Sequence, residues 1–250
     1  MGKLTAAKVR TAKPRIGKDG QPIKATFQDG QGLFLNCSPT GAKSWILRVQ
    51  VDGKRRDVGL PAFFASEYDK GNAAGRSALL FAVLTAARSG EARQATWEQI
   101  DLEARTWTLP AELMKMKRPH VVTLSDAALA LLEAYTPEDM REGLIFRGLR
   151  GKPLSDMALS MTMRSAGRTE TVHGFRSSFR DWAAEKMPTV PAMVAEMALA
   201  HKVGTATEQA YLRSDLRDMR RALMDAWGRH VAPQLSGVAD NVTAIAKASG

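Results

Sequence analysis

Between residues 25 and 60 the chain alternates apolar and polar positions between turn signals, the period-two signature of half-buried strands. Three strands are predicted there, at residues 32–35, 44–51 and 56–60, with Asp52-Gly53 as a tight hairpin signal between the last two. A short helix over residues 4–13, stopped by Pro14, precedes them. From Pro61 the period changes to that of helices. Residues 62–68 are amphipathic, residues 76–87 are apolar enough to be buried all round, and residues 91–97 form another short helical pattern. Residues 106–109 and 120–124 read as two strands flanking a basic loop. Ser125-Asp126 then opens a helix running to Tyr135, and residues 144–146 are extended. Further helices are expected around 155–165, 174–187, 190–200, 205–213 and 215–229, followed by a weakly patterned tail from Ala232 that is expected to be mobile. The fold class is therefore α+β: a small unit with a three-stranded antiparallel sheet, then a mainly helical unit with a small antiparallel sheet.

Charge sharpens this division. Of the net +10 on 250 residues, +8 falls in the first 60, where twelve Lys and Arg face four Asp. A segment so basic suits a polyanion, most often nucleic acid. Lys43, Arg48, Lys54, Arg55 and Arg56, on the predicted strands and hairpin, are the candidate DNA contacts there, with Lys117 and Arg118 in the later basic loop. A single cysteine, Cys37, excludes an internal disulfide and a cysteine-cluster metal site. No apolar run reaches the roughly 18 to 20 residues needed to cross a bilayer, and the first residues show neither a secretory nor a myristoylation pattern. The chain is read as cytoplasmic, without a membrane partner.

One segment, TVHGFRSSFRDWAAE (171–185), carries chemistry beside a core stripe. Phe175, Phe179 and Trp182 recur at i, i+4 and i+7, which is a packing face. His173 and Arg176 share a different face at the start of the same helix. Free backbone N–H groups, the helix dipole and a guanidinium together favour a phosphate. Arg180 is expected in an ion pair or on a DNA backbone, and His120 and His230 are read as structural.

Five motifs occur in order: T-A-A-R-S-G-E (85–91), M-K-M-K-R-P-H-V-V-T-L-S (114–125), H-G-F-R (173–176), L-A-H-K (199–202) and A-Y-L-R-S-D-L (210–216). This set resembles the tyrosine recombinases, in particular the integrases of phages and genomic islands. The first 60 residues resemble the small basic domain that those integrases place on arm-type DNA sites. The resemblance implies that Arg88 and Arg176 clamp the oxygens of one scissile phosphate and that Tyr211 is the nucleophile. It implies that Lys115 protonates the leaving 5′ oxygen, that His173 assists proton transfer or holds the phosphate, and that His201 hydrogen-bonds the phosphate. Glu91 would orient the arginine site. No cofactor and no metal are needed: arginines, lysine and histidines supply the electrostatics that Mg²⁺ supplies elsewhere.

The expected organisation is an arm-type DNA-binding domain at 1–60, a catalytic domain at 61–231 and a tail at 232–250. A helical core-site-binding domain that such integrases place between the first two is missing at the join near Leu60. The expected partner is double-stranded DNA at attachment sites, with self-association to a tetramer in the recombining complex. The alternatives are a non-catalytic DNA-binding remnant that regulates recombination, and a type IB topoisomerase-like enzyme.

Overall fold

A computed structural model of the chain describes residues 4, 6–30, 33–51, 54–114, 117–168, 170–201, 203 and 216–236, with backbone alone for residues 6, 29–30, 33–34, 44–51 and 54–58. The first helix, α1 (Ala6–Thr11), is shorter than the predicted 4–13 and is followed by a two-stranded ribbon, β1 (Arg15–Ile16) with β2 (Pro22–Ile23). Next comes an antiparallel sheet, β3 (Ala25–Gly30), β4 (Leu33–Cys37), β5 (Lys43–Val51) and β6 (Lys54–Gly59), in sequential order. The sheet thus has four strands rather than the predicted three. The extra strand, β3, contains Asp29-Gly30, a pair with turn chemistry; the ladder tolerates it through a register irregularity between Gln28 and Gly30. Asp52-Gly53 lies outside the described residues, and Val51 pairs with Lys54 on either side of it.

Strand β6 passes into helix α2 (Leu60–Tyr68) with no residue between them. Leu60, predicted as the end of a strand, is the first helical residue, because Pro61 fits the first helical turn. Helix α3 (Ala74–Thr85) is the centre of the helical part: every residue from Ser77 to Thr85 is buried. It ends at Ala86, whose left-handed backbone (φ 51°) breaks the helix. The pattern at 91–97 resolves into α4 (Ser89–Arg93) and a separate 3-10 turn, Trp97–Gln99. The second sheet gains a short strand, β7 (Ile100–Asp101), beside the predicted pair β8 (Thr106–Leu109) and β9 (His120–Thr123).

Ser125 caps α5 (Asp126–Tyr135), accepting the Ala128 N–H at 3.3 Å. Then come α6 (Ala158–Ser165), α7 (Gly174–Lys186), α8 (Ala192–Ala198) and α9 (Arg217–Val231). The helix predicted at 205–213, and the tail beyond Ser236, lie outside the described residues. The stripe of α7 packs as its spacing requires: Phe175, Phe179 and Trp182 are all buried. Phe179 and Trp182 meet Trp227 of α9 with ring centroids 5.4 and 5.2 Å apart, and the Trp227 indole donates to the Val83 carbonyl of α3 at 2.8 Å. Truncating such a tryptophan costs about 3–5 kcal/mol. Gly228 lets α9 approach the cap of α5; a methyl group there would lie 2.6 Å from Ser125 Oγ. No helix among the described residues is long and apolar enough to cross a membrane.

Candidate active site

Arg88 stands at the junction between α3 and α4, in extended backbone (φ −73°, ψ 150°), with buried Ala86 and Ala87 behind it. Glu91, three residues on, holds it twice. One carboxylate oxygen accepts the Arg88 backbone N–H at 2.7 Å; the other accepts its guanidinium at 2.6 Å. The Arg88 side chain remains 29% exposed, so the guanidinium is fixed yet open to a ligand.

Arg176, in the first turn of α7, is 4% exposed. It donates one Nη to the Ala86 carbonyl and the other to the Leu199 carbonyl at 2.6 Å, and that second nitrogen lies 3.4 Å from His201 Nε2. Its Nε is buried with no hydrogen-bond partner among the described residues. Burial, and next the neighbouring Arg88 guanidinium, bring its pKa down to about 10, while Glu91 and Glu196 oppose the shift. It stays charged at neutral pH, in a place where an anion would relieve the repulsion between the two cations.

His201 is positioned by the end of α8. Ala200 adopts a left-handed backbone (φ 51°), its N–H bonds the Met197 carbonyl at 3.0 Å, and the His201 N–H bonds the Glu196 carbonyl at 2.9 Å. This is the Schellman pattern of helix ends, with alanine where glycine is usual. Glu196 also takes the ring: its Oε2 is 2.6 Å from His201 Nδ1, and its Oε1 is 3.2 Å from Arg180 Nε.

His173, just before α7, completes the cluster. Partial burial, and then the charge of Arg176, with Arg88 further off, hold its pKa below the usual histidine value. The fold therefore brings Arg88, Glu91, His173, Arg176 and His201 into one electrostatic neighbourhood, although they span more than a hundred residues of sequence. His120, at the start of β9, lies within the field of the same charges. Burial, then Arg220, lower its pKa to about 4; the Ala198 backbone and Glu91 act the other way, and Arg176 lowers it further.

Lys115 and Tyr211 lie outside the described residues. Beside the former, Lys117 and Arg118 are exposed, and Lys117 has positive φ (52°). Lys43 begins β5, and its ammonium caps the Arg10 carbonyl of α1 at 2.7 Å. Arg48 lies on β5 opposite Asp57, and Lys54, Arg55 and Arg56 follow one another on β6. Lys43, Arg48, Lys54, Arg55 and Arg56 thus lie on two neighbouring strands of one sheet, and Lys117 and Arg118 in the loop before β9. Sequence reasoning missed Glu196 as a site neighbour and placed His120 only in the frame. Glu196 precedes His201 by five residues, a spacing with no periodic signal; only the helix-end geometry brings them together. Among the described residues no group of three His, Cys, Asp or Glu could hold a metal ion.

The profile of the phage integrase family matches residues 62–217, and that of the arm DNA-binding domain matches residues 4–98. The chain is 36% identical over 166 residues to prophage integrase IntA of Escherichia coli (strain K12), a match covering 65% of this chain and 40% of that protein. It is 34% identical over 185 residues to prophage integrase IntZ of the same strain, covering 71% and 44%. It is 29% identical over 181 residues to the integrase of Enterobacteria phage P4, covering 65% and 41%. The matched region thus spans less than half the length of these relatives. No solved structure gives a significant match. The family match covers more than half of the chain and includes Arg88, Arg176 and His201: the chain belongs to the phage integrase family, the tyrosine recombinases.

Proposed function

We propose that this protein cleaves and rejoins double-stranded DNA at specific sites through a 3′-phosphotyrosyl intermediate. The observation that carries the reading is the convergence on Arg176 of Arg88, whose charge lowers the Arg176 pKa, and of His201, 3.4 Å away, with His173 in the same field. A scissile phosphate between the guanidiniums gains charge in its pentacoordinate transition state, and fixed donors stabilise that charge without reorganising. The Tyr211 oxygen forms a bond to phosphorus as the bond to the 5′ oxygen breaks. The phenolic proton passes to His173, and Lys115 gives a proton to the leaving oxygen. Tyr211 and Lys115 take these roles from their motifs, and Glu91 keeps Arg88 in place.

The reading extends to the organisation of the chain. Residues 1–60, with Lys43, Arg48, Lys54, Arg55 and Arg56, act as an arm-type DNA-binding domain; residues 61–231 are the catalytic domain, with Lys117 and Arg118 on the duplex backbone. Phosphate contacts supply much of the affinity for DNA. Deleting residues 1–60 should weaken DNA binding and flatten its salt dependence. Recombination joins four strands, so the working assembly is a tetramer on DNA.

A second reading has its own support. Strand β6 joins helix α2 directly, where a core-site-binding domain would be inserted. A chain without that half of the clamp could remain a DNA-binding regulator that does not cut. One assay separates the two. The protein is incubated with a pool of nicked duplexes of randomised sequence, in which the nick lets the cleaved end diffuse away, and covalent protein–DNA adducts are collected and sequenced. An adduct with a shared sequence, absent in Tyr211→Phe, supports the recombinase. Salt-sensitive binding without adduct overturns it in favour of the regulator. Relaxation of supercoiled plasmid without site preference would indicate topoisomerase-like activity, a reading that the arm DNA-binding match disfavours.

A further inference from the structure

We propose that Glu196 is a positioning residue of the strand-transfer site, fixing the ring of His201 through Nδ1, with Arg180 holding Glu196 in place. The inference rests on the recombinase reading and adds two residues to it. Glu196 reaches His201 by two routes. Its backbone carbonyl accepts the His201 N–H at 2.9 Å, which sets where the residue sits. Its carboxylate lies 2.6 Å from Nδ1, which sets how the ring turns. A carboxylate on Nδ1 keeps the proton there and leaves Nε2 facing the reactive side. That side is occupied by Arg176, whose Nη2 is 3.4 Å from Nε2.

Among the described residues the acid is what orients this ring. The His201 side chain is 38% exposed, and its other polar contact among those residues, to Arg176, is long. The other carboxylate oxygen of Glu196 meets Arg180 Nε at 3.2 Å, one turn of α7 beyond Arg176. An exposed ion pair of this kind adds little stability by itself. Here it settles the direction of the carboxylate, so each oxygen serves one partner. Helix α7 therefore supplies both the buried arginine and the brace for the histidine that accepts beside it. Glu196 also places negative charge close enough to favour the charged form of Arg176.

The test uses the full chain and two readouts. The first is the rate of covalent adduct formation on a nicked duplex recovered from the randomised pool. Glu196→Ala should slow it by about tenfold or more, the scale on which partners that orient a functional histidine act. Glu196→Gln, which keeps an acceptor for Nδ1–H, should recover much of the rate. Arg180→Ala should slow the reaction less than Glu196→Ala. In a His201→Ala background, Glu196→Ala should add no further loss. Equal losses in both backgrounds, or a wild-type rate for Glu196→Ala, overturn the proposal while the recombinase reading stands. The second readout is the side-chain ¹⁵N spectrum; with four histidines in the chain, His201→Gln identifies the signal of His201. Wild type should show Nδ1 protonated, and Glu196→Ala should shift His201 towards the Nε2–H tautomer. An unchanged tautomer overturns the brace. If wild type forms no adduct on any duplex, the recombinase reading fails by itself, and the tautomer alone decides whether Glu196 orients His201.

Discussion

His201 Nε2 and Arg176 Nη2 meet at 3.4 Å, brought together by two helix ends across 25 residues of sequence. The contact exists because Arg176 is pegged to two carbonyls, Ala86 and Leu199, each adjacent to or part of a left-handed alanine. The guanidinium thereby joins the end of α3, the start of α7 and the turn after α8. Removing it should affect both chemistry and folding, whereas removing Arg88, whose side chain is tied to Glu91 among the described residues, should affect chemistry alone.

Arg176→Lys and Arg88→Lys make that contrast measurable. Both should lower adduct formation by about a hundredfold or more, the usual loss when a fixed transition-state donor is removed. Only Arg176→Lys should also lower stability, by roughly 1–3 kcal/mol, since lysine cannot serve both buried carbonyls. Rates on a nicked duplex and melting curves of the two variants check the pair. Equal destabilisation by both would contradict the pegging described here.

Because the Arg88 charge already lowers the pKa of Arg176, an anion beside the two is a stabilising ligand. Inorganic sulfate should raise the melting temperature, by an amount equivalent to about 2.7 kcal/mol when its concentration is a hundred times the dissociation constant. Arg88→Ala should remove most of the effect. Calorimetry at constant ionic strength, exchanging chloride for sulfate, makes the measurement.

His120 gives the acid side of the stability curve a definite slope. Its pKa is about 4 in the folded chain against 6.5 for an ordinary histidine, because of burial first and Arg220 second. Between pH 6.5 and pH 4 the unfolded chain therefore binds a proton that the folded chain refuses, and stability falls as pH falls. The contribution is complete above pH 6.5. One proton sets a slope of at most about 1.4 kcal/mol per pH unit. His120→Asn should flatten the curve in that window, as urea melts at several pH values would show.

The turn that delivers His201 carries its own strain. Ala200 holds φ at 51°, where a side chain is disfavoured and glycine is not. Ala200→Gly should stabilise the chain by up to about 1 kcal/mol, a rise of about 2–4 °C for a chain of this size. A lower melting temperature would mean that the methyl group, and not the backbone, matters there.

What could be read from the sequence follows the distance over which each signal acts. The stripe Phe175, Phe179, Trp182 is a local periodicity, and it packs against Trp227 as such a face must. Ser125 before an apolar run is a local cap, and α5 begins there. The pairing of residues 106–109 with 120–123 follows from two apolar segments and a loop. Strands β3 and β7 escaped for opposite reasons. The first ends in turn-like Asp29-Gly30, and the second has only two residues, too few to show a period. The neighbourhood of Arg88, His173, Arg176 and His201 was reachable only through the order of the motifs. Nothing local links the Ala86 carbonyl to Arg176 or the Glu196 carboxylate to His201; those contacts belong to helix ends that meet after folding.

Gly59 ends a strand and Leu60 begins a helix, with nothing in between. A flexible tether gives reach and forfeits aim; a corner of this kind does the opposite. A duplex gripped by the sheet would present its phosphates to Arg88 and Arg176 in one rotational phase. Spacing between the two contact points on DNA would then matter periodically: half a helical turn of added base pairs breaks the register, and a whole turn, about 10.5, brings it back.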